Sequence, residues 1–235
     1  MRVAVIASKG GAGKSSLAIA LAGEAQARGR SALLVDGDHG QGTCLLWAET
    51  AGAAGRPAPT VVAMGPGMHR PDQLPKVAEP YDWVVIDTPG RLSDVQRSAL
   101  MFTDLALVVT GPSVAEGWAL ASAIQVVQEA QTLRPALKAA MVLTRKQPRT
   151  AVGKVARRGI ESAGLPVLRS EISYRVVWQE CLALGASVST YDRGDSALEV
   201  RRLYEELEAF TLGVQDDGKE PAPARAASAG RRSRR

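Results

Sequence analysis

The sequence predicts an α/β fold, a mostly parallel twisted sheet with helices on both faces, and three observations carry that expectation. Short apolar runs recur at residues 3–7, 32–35, 60–63, 83–86, 105–109, 139–143 and 166–169, and most are separated by segments long enough for a helix to cross back over the sheet. Runs such as Ala32-Leu33-Leu34-Val35 are apolar without alternation, as strands covered on both faces must be. A chain of 235 residues at 46% hydrophobic content is ample for one such domain with a substantial core, and no repeat of fixed period interrupts it.

The first run releases the chain into Ser8-Lys9-Gly10-Gly11-Ala12-Gly13-Lys14-Ser15-Ser16, and helix-like residues 17–22 follow at once. A glycine-rich turn between a strand and a helix is where a phosphate-binding loop has to sit. Gly10, Gly11 and Gly13 let backbone N–H groups, with those of Ala12 and Ser16, converge on a phosphate, and the helix adds its positive end. Lys14 then reaches the β- and γ-phosphates and the Ser15 hydroxyl ligates Mg²⁺, so the stretch reads as a nucleoside triphosphate site. Lys9 is an additional cation at the tip. From there it points away from its own phosphates, and its charge best serves a nucleotide on another subunit.

The first helix should stop near Arg28-Gly29, and the strand at 32–35 carries Asp36-Gly37-Asp38 to the carboxyl edge of the sheet, where ligand sites of open α/β sheets lie. Two carboxylates in that apolar setting are costly without a cation, which Mg²⁺ and an attacking water would justify. Residues 42–54 read as a helix with Leu45, Leu46 and Trp47 as its apolar contacts. Arg56-Pro57-Ala58-Pro59 breaks the chain, 60–63 is a short strand, and 64–80 is a Pro/Gly-rich connection with room for a helical turn. His39 and His69 have no Cys, Asp or Glu at ligand spacing and read as loop histidines.

Residues 83–90, Trp-Val-Val-Ile-Asp-Thr-Pro-Gly, are a second motif: an apolar strand ending in Asp87, which would hold Mg²⁺ through water, then a Pro89-Gly90 segment able to sense the γ-phosphate. Further on come a strand at 105–109, a helix at 115–132, and a strand at 139–143 leading into a polar turn at 144–148. The chain should then form a helix near 150–163, a short strand near 166–169 and helices near 175–184 and 195–211.

From Gly213 onward Pro, Ala, Ser, Gly and Arg replace periodic apolar residues, so residues 1–212 are expected as the domain and 213–235 as a disordered basic tail. The formal charge is +5, and six Lys/Arg against three Asp/Glu place +3 of it in the tail. No apolar run approaches 18 residues and no leader pattern opens the chain, which gives a cytoplasmic protein without stable membrane insertion as the expectation. Cys44 and Cys181 are isolated, indicate neither a disulfide framework nor a metal cluster, and read as core thiols.

With these residues in view, positions 1 to about 211 resemble the ParA/MinD branch of P-loop ATPases, whose deviant Walker A motif carries the extra lysine found here as Lys9. The resemblance is closest to short ParA proteins of the ParF type, which Leu143-Thr144-Arg145-Lys146 and Tyr191-Asp192 also resemble. It implies ATP and Mg²⁺ as cofactors and a homodimer that closes on ATP, with Lys9 crossing a two-fold seam to the partner's phosphates. It further implies Lys14 on the β/γ-phosphates, Ser15 as direct metal ligand, Asp36 and Asp87 behind the metal's water shell, and Asp38 aligning the attacking water. Thr144 and Arg145 would face adenine. The chain departs from the family in having Asp38-His39-Gly40-Gln41 where Asp-Pro-Gln is usual, with one extra residue before Trp47, and one proline in Asp87-Thr88-Pro89-Gly90 where two are common.

The resemblance also implies a partition ATPase, nucleoid-associated, that binds DNA without reading sequence and moves a plasmid, a chromosome region or other cargo. A ParB-like or centromere-binding partner would stimulate its slow hydrolysis. Candidate DNA contacts are Arg145, Lys146, Arg149, Arg175, Arg193, Arg201 and Arg202, supported by Lys154, Arg157 and Arg158. A MinD-like membrane-positioning ATPase, an ATP-dependent carboxylate ligase or amidase, and an inactive nucleotide-bound scaffold are the other readings. The tail lacks the large apolar residues the membrane reading needs.

Overall fold

A computed structural model describes residues 1–7, 9–147 and 151–213, without the side chains of 114–116, 118 and 151–155. The expected tail therefore lies outside the described residues, as does Arg149. Seven strands form the sheet: β1 Arg2–Ile6, β2 Ala32–Asp36, β3 Thr60–Ala63, β4 Trp83–Asp87, β5 Leu105–Thr110, β6 Lys138–Lys146 and β7 Val167–Ser173. Their order is β3-β2-β4-β1-β5-β6-β7 and every pairing is parallel.

The helices are α1 Lys14–Ala27, α2 Thr43–Ala53, α3 Leu74–Ala78, α4 Asp94–Phe102, α5 Val114–Leu133, α6 Ala151–Glu161, α7 Val177–Ala183, α8 Val188–Tyr191 and α9 Asp195–Leu212. Strand side chains sort residue by residue onto two cores, because successive positions point to opposite faces. Ala4, Ile6, Leu33, Val35, Ile86, Ala106 and Val108 face α3, α4, α5 and α6. Val3, Val5, Leu34, Val85, Leu107 and Val109 face α1, α2 and α9. Helix α1 is apolar nearly all round and is buried from Leu17 to Ala25, as a helix enclosed by sheet and further helices must be.

Four elements differ from the sequence reading, one being α8, a short helix at Val188–Tyr191 where that reading placed no structure. The connection after Gly90 contains α4, which that reading left without structure. Residues 144–146 are not a polar turn but the end of β6, because β7 runs on to Ser173 and pairs with them, Lys146 opposite Ser173. The helix expected over 175–184 begins two residues later, since Tyr174 still hydrogen-bonds to Lys146 O as an extension of the sheet. Among the described residues no helix is long and apolar enough to cross a membrane.

Candidate functional site

The carboxyl ends of β1, β2 and β4 bring the two sequence motifs together. Asp36 and Asp87 are direct register partners on adjacent strands, and Val5 pairs with Asp87 on the other side. A turn leaving the centre of a parallel sheet for α1 has to pass over this edge, and Lys14 and Ser15 at its end act on Asp87.

Within the loop, Gly11 and Gly13 have φ of 82° and 86°, conformations that L side chains resist, and Gly13 caps α1. A Cβ at Gly10 or Gly11 would meet nothing within 4 Å, which leaves the side of the loop facing a ligand open to a phosphate. Lys14 is only 6% exposed at the foot of the loop, whereas Lys9 is exposed at its tip. The two cations therefore stand in opposite environments, one enclosed and one exposed.

From behind, β6 holds the loop in shape. Thr144 Oγ1 donates to Ala12 O at 2.9 Å, and Arg145 Nη1 donates to Gly11 O at 2.6 Å. Arg145 has φ of 54°, a left-handed conformation that costs about 1–2 kcal/mol for a residue with a Cβ and that clusters at functional sites. Thr144 and Arg145 also line a cavity of about 170 Å³ with Gly11, Gly13, Tyr174, Arg175 and Trp178. Both residues expected to face a base are thus beside the loop, and Arg145 is additionally committed to it.

The carboxylates are held differently. Asp36 accepts from Asp38 N at 3.1 Å, Cys44 N at 2.9 Å and Leu45 N at 3.1 Å, so it fixes the 38–42 turn and the start of α2. Asp87 is completely buried, with Oδ2 at 3.6 Å from Cys44 Sγ and Oδ1 lacking any partner among the described residues. Burial pushes Asp87 up to about 6 against the lowering pull of the Ser15 hydroxyl and Lys14, and Asp36 adds to the rise. A buried carboxylate oxygen left unpaired beside a lysine and a serine hydroxyl fits a divalent cation and its water shell. Asp38 is half-buried at the mouth, and its carbonyl accepts from Gln41 N and Gly42 N.

Sequence reasoning missed several members of this site. Cys44 was read as an ordinary core thiol, yet its side chain touches Asp87, and burial together with Asp87 and Asp36 pushes the thiol well above its ordinary value. Thr88 Oγ1 donates to Val5 O at 2.7 Å, and the buried Gln96 donates to Ala7 O and Pro89 O. For Gln96 a signal existed: Ser93-Asp94-Val95-Gln96 has the S-x-x-Q spacing that opens a helix, and Ser93 Oγ does accept from Gln96 N.

Arg145 bonds to the phosphate loop, the side chains of Arg149 and Lys154 lie outside what is described, and the other candidate DNA contacts fall into two groups. Lys146 pairs with Glu171, and Arg175 pairs with Glu199 at 2.9 Å and Asp195 at 3.2 Å. The supporting Arg157 pairs with Glu161 and Glu171. Arg193, Arg201, Arg202 and Arg158 are exposed.

Residues 3–188 match the family described as the CobQ/CobB/MinD/ParA nucleotide binding domain. The chain is 32% identical over 210 residues to maintenance of carboxysome distribution protein A of Halothiobacillus neapolitanus, covering 87% of this chain and 95% of that protein. Among solved structures it is similar to the cell division ATPase MinD of Pyrococcus furiosus, with TM-score 0.70, 22% identity and coverage of 89% and 99%. Apo McdA of Cyanothece gives TM-score 0.69 at 16% identity, with coverage of 88% and 99%. Cobyrinic acid a,c-diamide synthase of Mycobacterium smegmatis, solved with an ATP analogue and magnesium, gives 0.73 at 18% identity, with coverage of 91% and 96%. These last three likenesses are likenesses of fold.

Proposed function

The chain belongs to the CobQ/CobB/MinD/ParA nucleotide-binding family and is an ATPase of the ParA/MinD type that uses ATP and Mg²⁺, and from that premise we propose that it is a positioning ATPase whose dimerisation depends on ATP. The observation that carries the proposal is the pair of lysines on one loop, Lys14 enclosed at its foot and Lys9 exposed at its tip. Lys14 serves the nucleotide of its own subunit. Lys9 serves the nucleotide of a second copy, so two chains share the phosphates only when a triphosphate is present.

Mg²⁺ supplies charge neutralisation along the phosphates and fixes their orientation. Ser15, and Asp87 through the oxygen that has no partner among the described residues, would hold it, with Asp36 tying the turn that carries Asp38. Asp38 orients the attacking water, and Thr144 and Arg145 position the base while bracing the loop. Hydrolysis is slow in the isolated chain and faster with DNA and a partner protein, which makes the nucleotide state a timer.

The cargo is an assembly of the carboxysome kind. Identity over nearly the full length of a carboxysome-distribution relative supports this over a plasmid or a chromosome region. DNA is the track. Arg193, Arg201 and Arg202 make first contact, and Lys146 and Arg175 contribute by exchanging carboxylate partners for phosphates; the family's place on the nucleoid follows from that surface. Binding of a random-sequence duplex by the ATP-loaded, ADP-loaded and empty chain tests the reading. The ATP form alone should bind, with affinity falling steeply as salt rises; equal binding by all three forms would refute it.

A further inference from the structure

One buried side chain at the nucleotide edge has no part in the roles above. Gln96 on α4 is fully buried, and its Nε2 donates to Ala7 O at 3.0 Å and to Pro89 O at 2.8 Å. The first carbonyl is where the chain leaves β1 for the phosphate loop. The second lies in the segment that follows Asp87. Its own Oε1 is buried and has no partner among the described residues.

Those same two segments touch again at their far ends. A Cβ at Gly90 would lie 2.8 Å from Gly10 N, 2.9 Å from Gly10 Cα and 3.0 Å from the carbonyl carbon of Lys9. Backbone therefore rests on backbone at the loop tip, and only glycine permits it. Between the two contacts, Thr88 donates to Val5 O and fastens the segment to β1. The phosphate loop and residues 88–90 are joined at the root by an amide and at the tip by a glycine.

A buried amide whose carbonyl is unpaired is less stable than an aliphatic side chain of the same shape, so packing does not account for Gln96. What the amide adds is a bond to each of the two segments. We infer that Gln96 is a positioning residue for ATP hydrolysis: it makes the phosphate loop and the Thr88-Pro89-Gly90 segment move as one body. A displacement of Gly90 by the γ-phosphate is then carried to the loop tip that bears Lys9, and the chain tells ATP from ADP. The inference rests on the roles proposed for Lys9 and for residues 88–90.

Gln96→Met keeps the length and removes both donors. In the full chain without nucleotide, amide hydrogen exchange at residues 9–13 and 88–91 should rise about tenfold, as for one lost hydrogen bond, while β5 and α9 are unchanged. ADP affinity should stay within about twofold, and the preference for a slowly hydrolysed ATP analogue over ADP should fall about tenfold. Exchange unaltered in both segments, exchange raised uniformly through the chain, or an unaltered preference would overturn the inference. Gly90→Ala, which opens the other end of the joint with Gln96 in place, should reproduce both effects; it decides the matter if Gln96→Met does not fold, and an unaltered preference overturns the inference there too. Lys9→Ala separates the two proposals, since a wrong role for Lys9 would leave the dimer intact in that variant without touching the exchange result for Gln96→Met.

Discussion

The nucleotide edge and the arginine-bearing surface around β7 and α9 hold their charges in opposite ways. At the edge, Lys14 and Asp87 are buried and one carboxylate oxygen has no partner among the described residues. On the surface, Lys146 and Arg175 are only partly buried and already have carboxylate partners. A buried, unfinished set of charges is costly until a ligand completes it, so it selects one ligand strongly. Partly exposed pairs are worth only about 0–1 kcal/mol, so they can trade a carboxylate for a phosphate at little cost and without regard to sequence. One region is built to recognise and the other to adhere.

Breaking the edge should have the largest effect. Lys14→Ala removes the enclosed cation, and ATP turnover should fall by about 100-fold or more, measured as phosphate release under saturating Mg²⁺. Asp87→Asn should also abolish Mg²⁺-dependent turnover, yet it should stabilise the nucleotide-free chain. Asp87 titrates at about 6 in the fold against 3.8 in the unfolded chain, so the folded form holds the proton more tightly. Its contribution to stability falls as pH rises from about 4 to about 6, and above that the full penalty of roughly 2–3 kcal/mol applies. Denaturant melts of the two proteins at pH 7.5 should differ by an amount of that order, and the gap should close at pH 4.

The surface should respond more gently. Arg201→Glu with Arg202→Glu should weaken duplex binding by about tenfold and flatten the salt dependence by about one unit of slope per residue, with nucleotide binding unchanged. Lys146→Gln should give the smallest effect, about twofold in duplex affinity, because its ion pair with Glu171 has to be given up for a phosphate. A titration of fluorescent duplex at several salt concentrations measures both. If Lys146→Gln cost more than the double arginine change, the contrast between the two regions would be drawn in the wrong place.

Legibility in the sequence followed the same division. The phosphate loop, Asp36 and Asp87 were readable because a ligand edge must follow an apolar strand, and those residues stand at strand ends. Helix α4 was passed over because residues 90–93 carry loop-forming Gly, Arg and Ser, although Val95, Ala99 and Phe102 have helical spacing and are buried. The helix-opening spacing at Ser93 and Gln96 was visible, but the bond from Gln96 to Ala7 O, 89 residues away, and the contact of Cys44 with Asp87, 43 residues away, could not be read from local neighbours. The partners of Lys146 and Arg175 were equally hidden. Charge type is visible in a sequence, but whether a charge is already neutralised depends on which strand and helix the fold sets beside it.

The central claim is that Lys9 makes pairing of two chains conditional on ATP, and particle mass by light scattering during gel filtration measures it directly. With a slowly hydrolysed ATP analogue and Mg²⁺ the wild type should elute at twice the chain mass of 24.7 kDa, and with ADP at that mass. Lys9→Ala should elute as a monomer in both while still binding ADP. A Lys9→Ala chain that dimerises on the ATP analogue as the wild type does would contradict the account.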